Sequence, residues 1–121
     1  AAVSSCGLCS IKGDPSVFRW SRNEWFVYFK SLRYYFERGY SPFEFHEVLA
    51  LIASRAFFNW TAKQDTCFPH WQGAAEIGAK VREVYELYGV PNKLKFIVDE
   101  GEHSFPKNIR LEVYAFLDEN L

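Results

Sequence analysis

An α/β fold, a parallel sheet covered by helices, is what the order of apolar segments in this chain predicts. Three observations carry that expectation. Short apolar runs of strand length occupy residues 1–5, 55–60 and 94–98. Amphipathic stretches of helical period separate and follow them. Each stretch between two runs is long enough to return the chain over a sheet, so consecutive strands lie side by side and parallel.

The opening Ala1-Ala2-Val3-Ser4-Ser5 reads as the end of a buried strand running into Cys6-Gly7. Residues 10–22 hold Gly13, Pro15 and several polar groups and read as loop. Over 23–38 the apolar positions Trp25, Phe26, Phe29, Leu32 and Phe36 recur at short helical steps. That predicts one helix, or two short ones, ended by Gly39. Ser41-Pro42-Phe43-Glu44 has the form of a helix start, with Ser41 as N-cap and Glu44 three positions on. The helix it opens runs to about Ile52.

Residues 55–60, Arg-Ala-Phe-Phe-Asn-Trp, form the second strand, and 61–69 are polar and turn-like. A long helix begins at His70 or Trp71. Ala74, Ile77, Val81, Val84, Tyr85 and Tyr88 share one face, and Glu76, Lys80, Arg82, Glu83 and Glu86 the other. Glu76 and Lys80 make a favourable pair four residues apart. Gly89 caps the helix and Pro91 prevents its return. The third strand, 94–98, is followed by a loop over 99–105. Pro106 stands at the first turn of a last helix whose buried stripe is Ile109, Val113, Phe116 and Leu117.

Composition limits the function. The chain of 121 residues is 49% apolar and 19% aromatic, which excludes a disordered protein. A net charge of −1 predicts attraction to neither nucleic acid nor an anionic membrane. No apolar run approaches the ~20 residues of a membrane-spanning helix. The sequence contains no Met and starts within a strand, so a segment of a longer chain is the expectation. Three Cys, an odd number, fit reduced thiols better than a disulfide scaffold.

Parallel sheets of this kind bind ligands at the C-terminal edge of their strands. Asp65 follows the second strand and His103 the third, 38 positions apart. One helix and one strand fill that interval, which is the path that returns the chain to the same edge. A carboxylate beside an imidazole fixes its tautomer and stabilises its protonated form, so the pair suits the acid–base half of a Ser-His-Asp triad. Acid before histidine also matches the chain order of hydrolases built on such sheets. Considered singly, an Asp at a strand end is more often a turn residue, and a lone loop His is more often solvated.

Residues 41–121 resemble the C-terminal segment of α/β-hydrolase esterases of the dienelactone hydrolase and acetyl xylan esterase type. The resemblance rests on Phe43-Glu44-Phe45-His46-Glu47-Val48-Leu49-Ala50-Leu51-Ile52-Ala53-Ser54-Arg55, on Asp65-Thr66-Cys67-Phe68 and on Tyr85-Glu86-Leu87-Tyr88-Gly89. It closes with Gly101-Glu102-His103-Ser104-Phe105-Pro106 and Tyr114-Ala115-Phe116-Leu117-Asp118. It implies that residues 1–121 are the C-terminal portion of one α/β-hydrolase domain, with 22–40 a helical insertion over the sheet edge. It also implies Asp65 as the acid and His103 as the base of a carboxylic-ester hydrolase. The substrate would be a small-molecule or carbohydrate ester, no cofactor is called for, and the partner would be the upstream half of the same domain. The chain departs from the family at Ser54, where Pro is usual, and at Glu102, where Gly is usual. A carboxylate at 102 would stand beside the base or point to solvent.

No Gly-x-Ser-x-Gly elbow occurs in the 121 residues, so the nucleophilic serine is expected upstream. The alternative to an esterase is a zinc-stabilised or interaction fragment, because Cys6 and Cys9 form a C-x-x-C pair and Cys67 and His70 a C-x-x-H pair. His46 reads as a helix surface or capping residue. The aromatics Trp20, Trp25, Phe26, Tyr28, Phe29, Tyr34, Tyr35 and Phe36 read chiefly as packing, with a wall over the substrate as their functional reading.

Overall fold

The computed structural model describes residues 1–24 and 29–121. Among these residues three parallel strands, β1 (Ala2–Ser5), β2 (Phe57–Ala62) and β3 (Leu94–Asp99), lie in the order β1-β2-β3. Ala2 is in register with Phe57, and Phe57 with Leu94. Among the described residues four α-helices accompany them: α1 (Arg33–Phe36), α2 (Phe45–Ala50), α3 (Trp71–Leu87) and α4 (Lys107–Asn120). The fold is α/β, as the alternation of segments predicts.

The second strand lies two residues further on than the sequence pattern suggests. Thr61 and Ala62 belong to it, and all six of its residues are buried. The polar pair Asn59 and Thr61 is accommodated there because Asn59 Nδ2 donates to Thr61 Oγ1 at 3.0 Å. That bond offsets part of the cost of burying the two side chains, while Asn59 Oδ1 is buried without a partner. Alternation along β2 feeds two separate cores. Phe57 packs with Ile77, Val81 and Tyr85 of α3 and with Leu49 of α2. Phe58, Trp60 and Ala62 pack with Ile109, Val113 and Phe116 of α4. Each fully buried aliphatic side chain in these layers contributes about 1.5–3 kcal/mol.

Helix α3 lies close against β3, since a Cβ on Gly78 would meet the Phe96 ring at 2.6 Å. Its buried residues are Ala74, Ile77, Gly78, Val81 and Tyr85, whereas Tyr88 is exposed. Tyr88 falls on the terminal turn, beyond the reach of the sheet. Helix α4 buries Ile109, Val113 and Phe116 with Leu117 at its margin, as expected.

Two expectations are corrected. Ser41 is not the N-cap of α2; Glu44 is, and it forms a capping box with Glu47. The carboxylate wins because it is held from the other side as well, by residues 10–12. Among the described residues of 23–38, helix occurs in the Lys30–Leu32 3-10 turn and in α1. Phe29 leaves helical geometry at φ −127° and donates its N–H to Trp20 O at 3.0 Å. Trp25, Phe26 and Tyr28 lie outside the described residues. Among the described residues no helix is long and apolar enough to cross a membrane.

Candidate active site

All three strands point their C-terminal ends at one edge, and a polar side chain follows each. Asp65 comes three residues after β2, in a turn that its own carboxylate organises. Oδ1 accepts the N–H of Cys67 at 2.7 Å and of Phe68 at 2.9 Å. The turn-residue reading of Asp65 is therefore correct for one oxygen. The other oxygen, Oδ2, lies 2.8 Å from His103 Nδ1. The Asp65 side chain is 1% exposed and that of His103 is 44% exposed. Burial pushes the Asp65 carboxyl up. The His103 hydrogen bond and the two backbone N–H groups outweigh it and hold the group below the usual carboxylate range.

The His103 loop is positioned by continuing the β2–β3 pairing past the strands. Lys63 N donates to Asp99 O at 2.9 Å, and Gln64 N donates to Gly101 O at 2.9 Å. Gly101 N returns a bond to Gln64 Oε1 at 2.5 Å. Lys63 and Gln64 both engage the Glu100 carboxylate. Gly101 has φ +148°, and a Cβ there would meet the Trp60 ring at 3.2 Å. Only glycine allows the loop to pass over Trp60 on its way to His103. Glu102, the departure beside the histidine, is exposed.

The third strand end contributes Cys6. It is 3% exposed and has φ +50°, an uncommon conformation for a residue with a side chain. Its N–H donates to Trp60 O at 2.8 Å, and its Sγ contacts Ser104 O at 3.7 Å. One ligand-type atom each from Cys6, Asp65 and His103 lies within 4.8 Å of the other two. Burial, foremost, and the Asp65 carboxylate push the Cys6 thiol up, against backbone hydrogen bonds at Ala62 and Ser104. A buried thiol kept protonated is a poor nucleophile. Sequence reasoning placed Cys6 with Cys9 and missed it as a neighbour of the pair. The signal was available: Cys6 follows β1 as Asp65 follows β2 and His103 follows β3.

The pairing of Cys6, Cys9, Cys67 and His70 as a four-ligand zinc site is not what the fold builds. Among the described residues no such cluster forms. Cys9 faces Asp14 instead, with Sγ 3.8 Å from Oδ2, while Cys67 is exposed. Burial first, then the Asp14 charge, push the Cys9 thiol up to about 12. The two pairs separate because Cys9 turns into the core between the N-terminal loop and α3.

Among the described aromatics of the N-terminal region, Trp20 and Phe36 are packed into the core, whereas Phe29 and Tyr34 are exposed. Trp20 is 2% exposed and stacks on Phe68 at 5.5 Å between centroids. Phe68 in turn lies 6.0 Å from the His103 ring. Trp20 Nε1 donates to Asp14 at 3.1 Å, and Arg19 joins Asp14 at 2.7 Å and also donates to Cys67 O. The N-terminal loop thus buttresses the turn that carries the acid.

A buried carboxylate paired with a half-exposed imidazole at the C-terminal edge of a parallel sheet is an arrangement suited to general acid–base chemistry. No family model and no curated protein matches the chain. Among solved structures it is similar to a carbohydrate esterase family 15 (CE15) glucuronoyl esterase from Caldicellulosiruptor kristjansonii. The two share 27% identity with a TM-score of 0.59. The likeness covers 67% of this chain and 21% of that one, so the chain spans about a fifth of its neighbour's length.

Proposed function

We propose that Asp65 and His103 are the acid and base of a Ser-His-Asp triad in a carboxylic-ester hydrolase. In this reading residues 1–121 are the C-terminal portion of a single α/β-hydrolase domain. The nucleophilic serine and the oxyanion hole come from residues upstream of β1. The observation that carries the reading is the 2.8 Å approach of His103 Nδ1 to an Asp65 oxygen whose twin is fixed by two backbone N–H groups. With Nδ1–H donated to Asp65, Nε2 is the nitrogen that takes the serine proton and later returns it to the leaving alcohol. Similarity to a glucuronoyl esterase supports esters as the substrate class, and carbohydrate esters within it. The outer edge of β1 has no strand beside it among the described residues, and Val3 is 37% exposed there. A parallel strand is normally buried on both faces, so an upstream strand is the partner that edge suits.

The test is activity-based labelling of the full-length protein with a fluorophosphonate. A single modified serine within an upstream Gly-x-Ser-x-Gly elbow is expected, with labelling lost in His103→Ala. Labelling that is unchanged in His103→Ala, or no labelling of an ester-hydrolysing protein, sinks the assignment.

A further inference from the structure

The geometry points to a second use of the same strand ends: we propose that Cys6, Asp65 and His103 form a binding site for a borderline-soft divalent cation, Zn2+ foremost. Occupancy of that site would disable the dyad. Metal capture does not depend on the ester-hydrolase reading; the inhibition that follows from it does.

Three features carry the proposal. The first is donor chemistry. One thiol, one carboxylate and one imidazole are the ligand types that select zinc and its neighbours over calcium or magnesium. Thiolate and carboxylate together balance the charge of a divalent ion, so a buried site of this composition closes at net zero. The second is distance. Tetrahedral zinc holds N, O and S ligands roughly 3.3–3.7 Å from one another. The three donor atoms already lie within 4.8 Å of each other, and one of their contacts, Nδ1 to Oδ2, is 2.8 Å. Sub-ångström to one-ångström adjustments bring them to a common centre. The third is access. Cys6 and Asp65 are buried, which fixes two donors, while the His103 side chain is 44% exposed. An ion enters on the histidine side and keeps a fourth position for water, as open zinc sites do.

The supporting shell is also present. Asp65 Oδ1 is held by two backbone N–H groups, so the carboxylate is oriented before any ion arrives. Cys6 is anchored through its own N–H to Trp60 O. On binding, the Cys6 S–H bond breaks, its proton goes to solvent, and the sulfur lone pair takes the metal. The ion then occupies the space in which His103 and Asp65 meet. That removes the hydrogen bond by which the carboxylate orients the ring.

Titration of the full-length protein with Zn2+ by calorimetry, and with Co2+ by absorption, tests this. One tight site per chain is expected, with a thiolate-to-cobalt charge-transfer band. Cys6→Ser and His103→Ala are each expected to weaken binding by about ten-fold or more. Cys67→Ser should bind like wild type. His103 stands on an exposed loop, so His103→Ala reports even if Cys6→Ser fails to fold. Hydrolysis by the wild type should fall with Zn2+ and recover with a chelator. Absence of a thiolate band in the wild type, its persistence in Cys6→Ser, or its loss in Cys67→Ser overturns the site. Tight thiolate ligation without loss of hydrolysis overturns the inhibitory role alone.

Discussion

Asp65 and Glu44 are both buried carboxylates whose pKa is held below the ordinary range, yet they serve different ends. Glu44 uses both oxygens on its own fold. Oε1 accepts the N–H of Ile11 at 2.9 Å and of Phe45 at 2.8 Å; Oε2 accepts from Ser10 Oγ at 2.9 Å and Lys12 N at 3.1 Å. Burial pushes Glu44 up, and these donors more than offset it. Asp65 spends one oxygen on its turn and turns the other toward a half-exposed imidazole. A lowered pKa therefore does not by itself single out the carboxylate at the strand edge. What separates the two is where the last lone pairs go: to backbone N–H groups and the Ser10 hydroxyl in one case, and to a titratable side chain at a strand edge in the other.

The comparison is broken most severely by exchanging its two members. If Asp65 is the triad acid as proposed, Asp65→Asn in the full-length protein is expected to lower kcat for ester hydrolysis by about three to four orders of magnitude, because the amide no longer fixes the histidine tautomer. Glu44→Gln should leave kcat per folded molecule unchanged. Steady-state kinetics on both variants decide it, and equal losses would mean that the two carboxylates are not functionally distinct.

In equilibrium urea unfolding the order reverses. Glu44→Gln presents an amide nitrogen to donors that need an acceptor, and a loss of about 2–4 kcal/mol is expected. His103→Ala removes a side chain that is 44% exposed, and a change of at most about 1 kcal/mol is expected. A midpoint for Glu44→Gln at the wild-type value would remove its role as a staple between residues 10–12 and α2.

Gly101→Ala sharpens the contrast between holding a site and being one. The added methyl meets Trp60 at 3.2 Å with φ at +148°. The expected cost is about 1–3 kcal/mol and, if His103 is the base as proposed, a fall in kcat larger than any rise in KM. Wild-type kinetics in this variant would show that the loop reaches His103 without needing glycine.

The smallest expected effect is a change in slope with pH. Both carboxylates have folded pKa values below their unfolded ones, so the unfolded chain binds more protons just below the ordinary carboxylate range. Their stabilisation is fully present above about pH 5 and is lost as pH falls through the folded values. Urea midpoints from about pH 6 to about pH 3 should fall for the wild type and fall less steeply for Glu44→Gln. Parallel curves would count against a depressed Glu44 pKa.

Local pattern was enough for the elements that depend on local pattern. Residues 71–87 carry a helical stripe, Gly89 and Pro91 stop it, and the structure ends α3 at Leu87. Sequence failed where distant groups compete. Ser41 fits an N-cap by spacing, but Glu44 has partners 32–34 positions away that no local window contains. Within the expected helix over 23–38, Phe29 itself stands outside helical geometry and donates its N–H to Trp20 O. Thr61 looks like a turn residue until Asn59 satisfies its hydroxyl inside β2.

The alternation of apolar runs by itself determined the parallel sheet. With it came the shared edge on which Asp65 and His103 stand, because right-handed crossovers leave few other arrangements. Chain order alone also made the two residues candidates for meeting. Whether an Asp65 oxygen would remain free for His103, and which cysteine would join them, only the tertiary structure decided. The reason is physical. A strand end specifies a side chain's position to within a few ångströms, whereas a hydrogen bond or a metal ligand needs a few tenths. That last precision comes from contacts far apart in sequence: Arg19 against the Asp65 turn, Gly101 over Trp60, and Cys6 anchored to the end of β2.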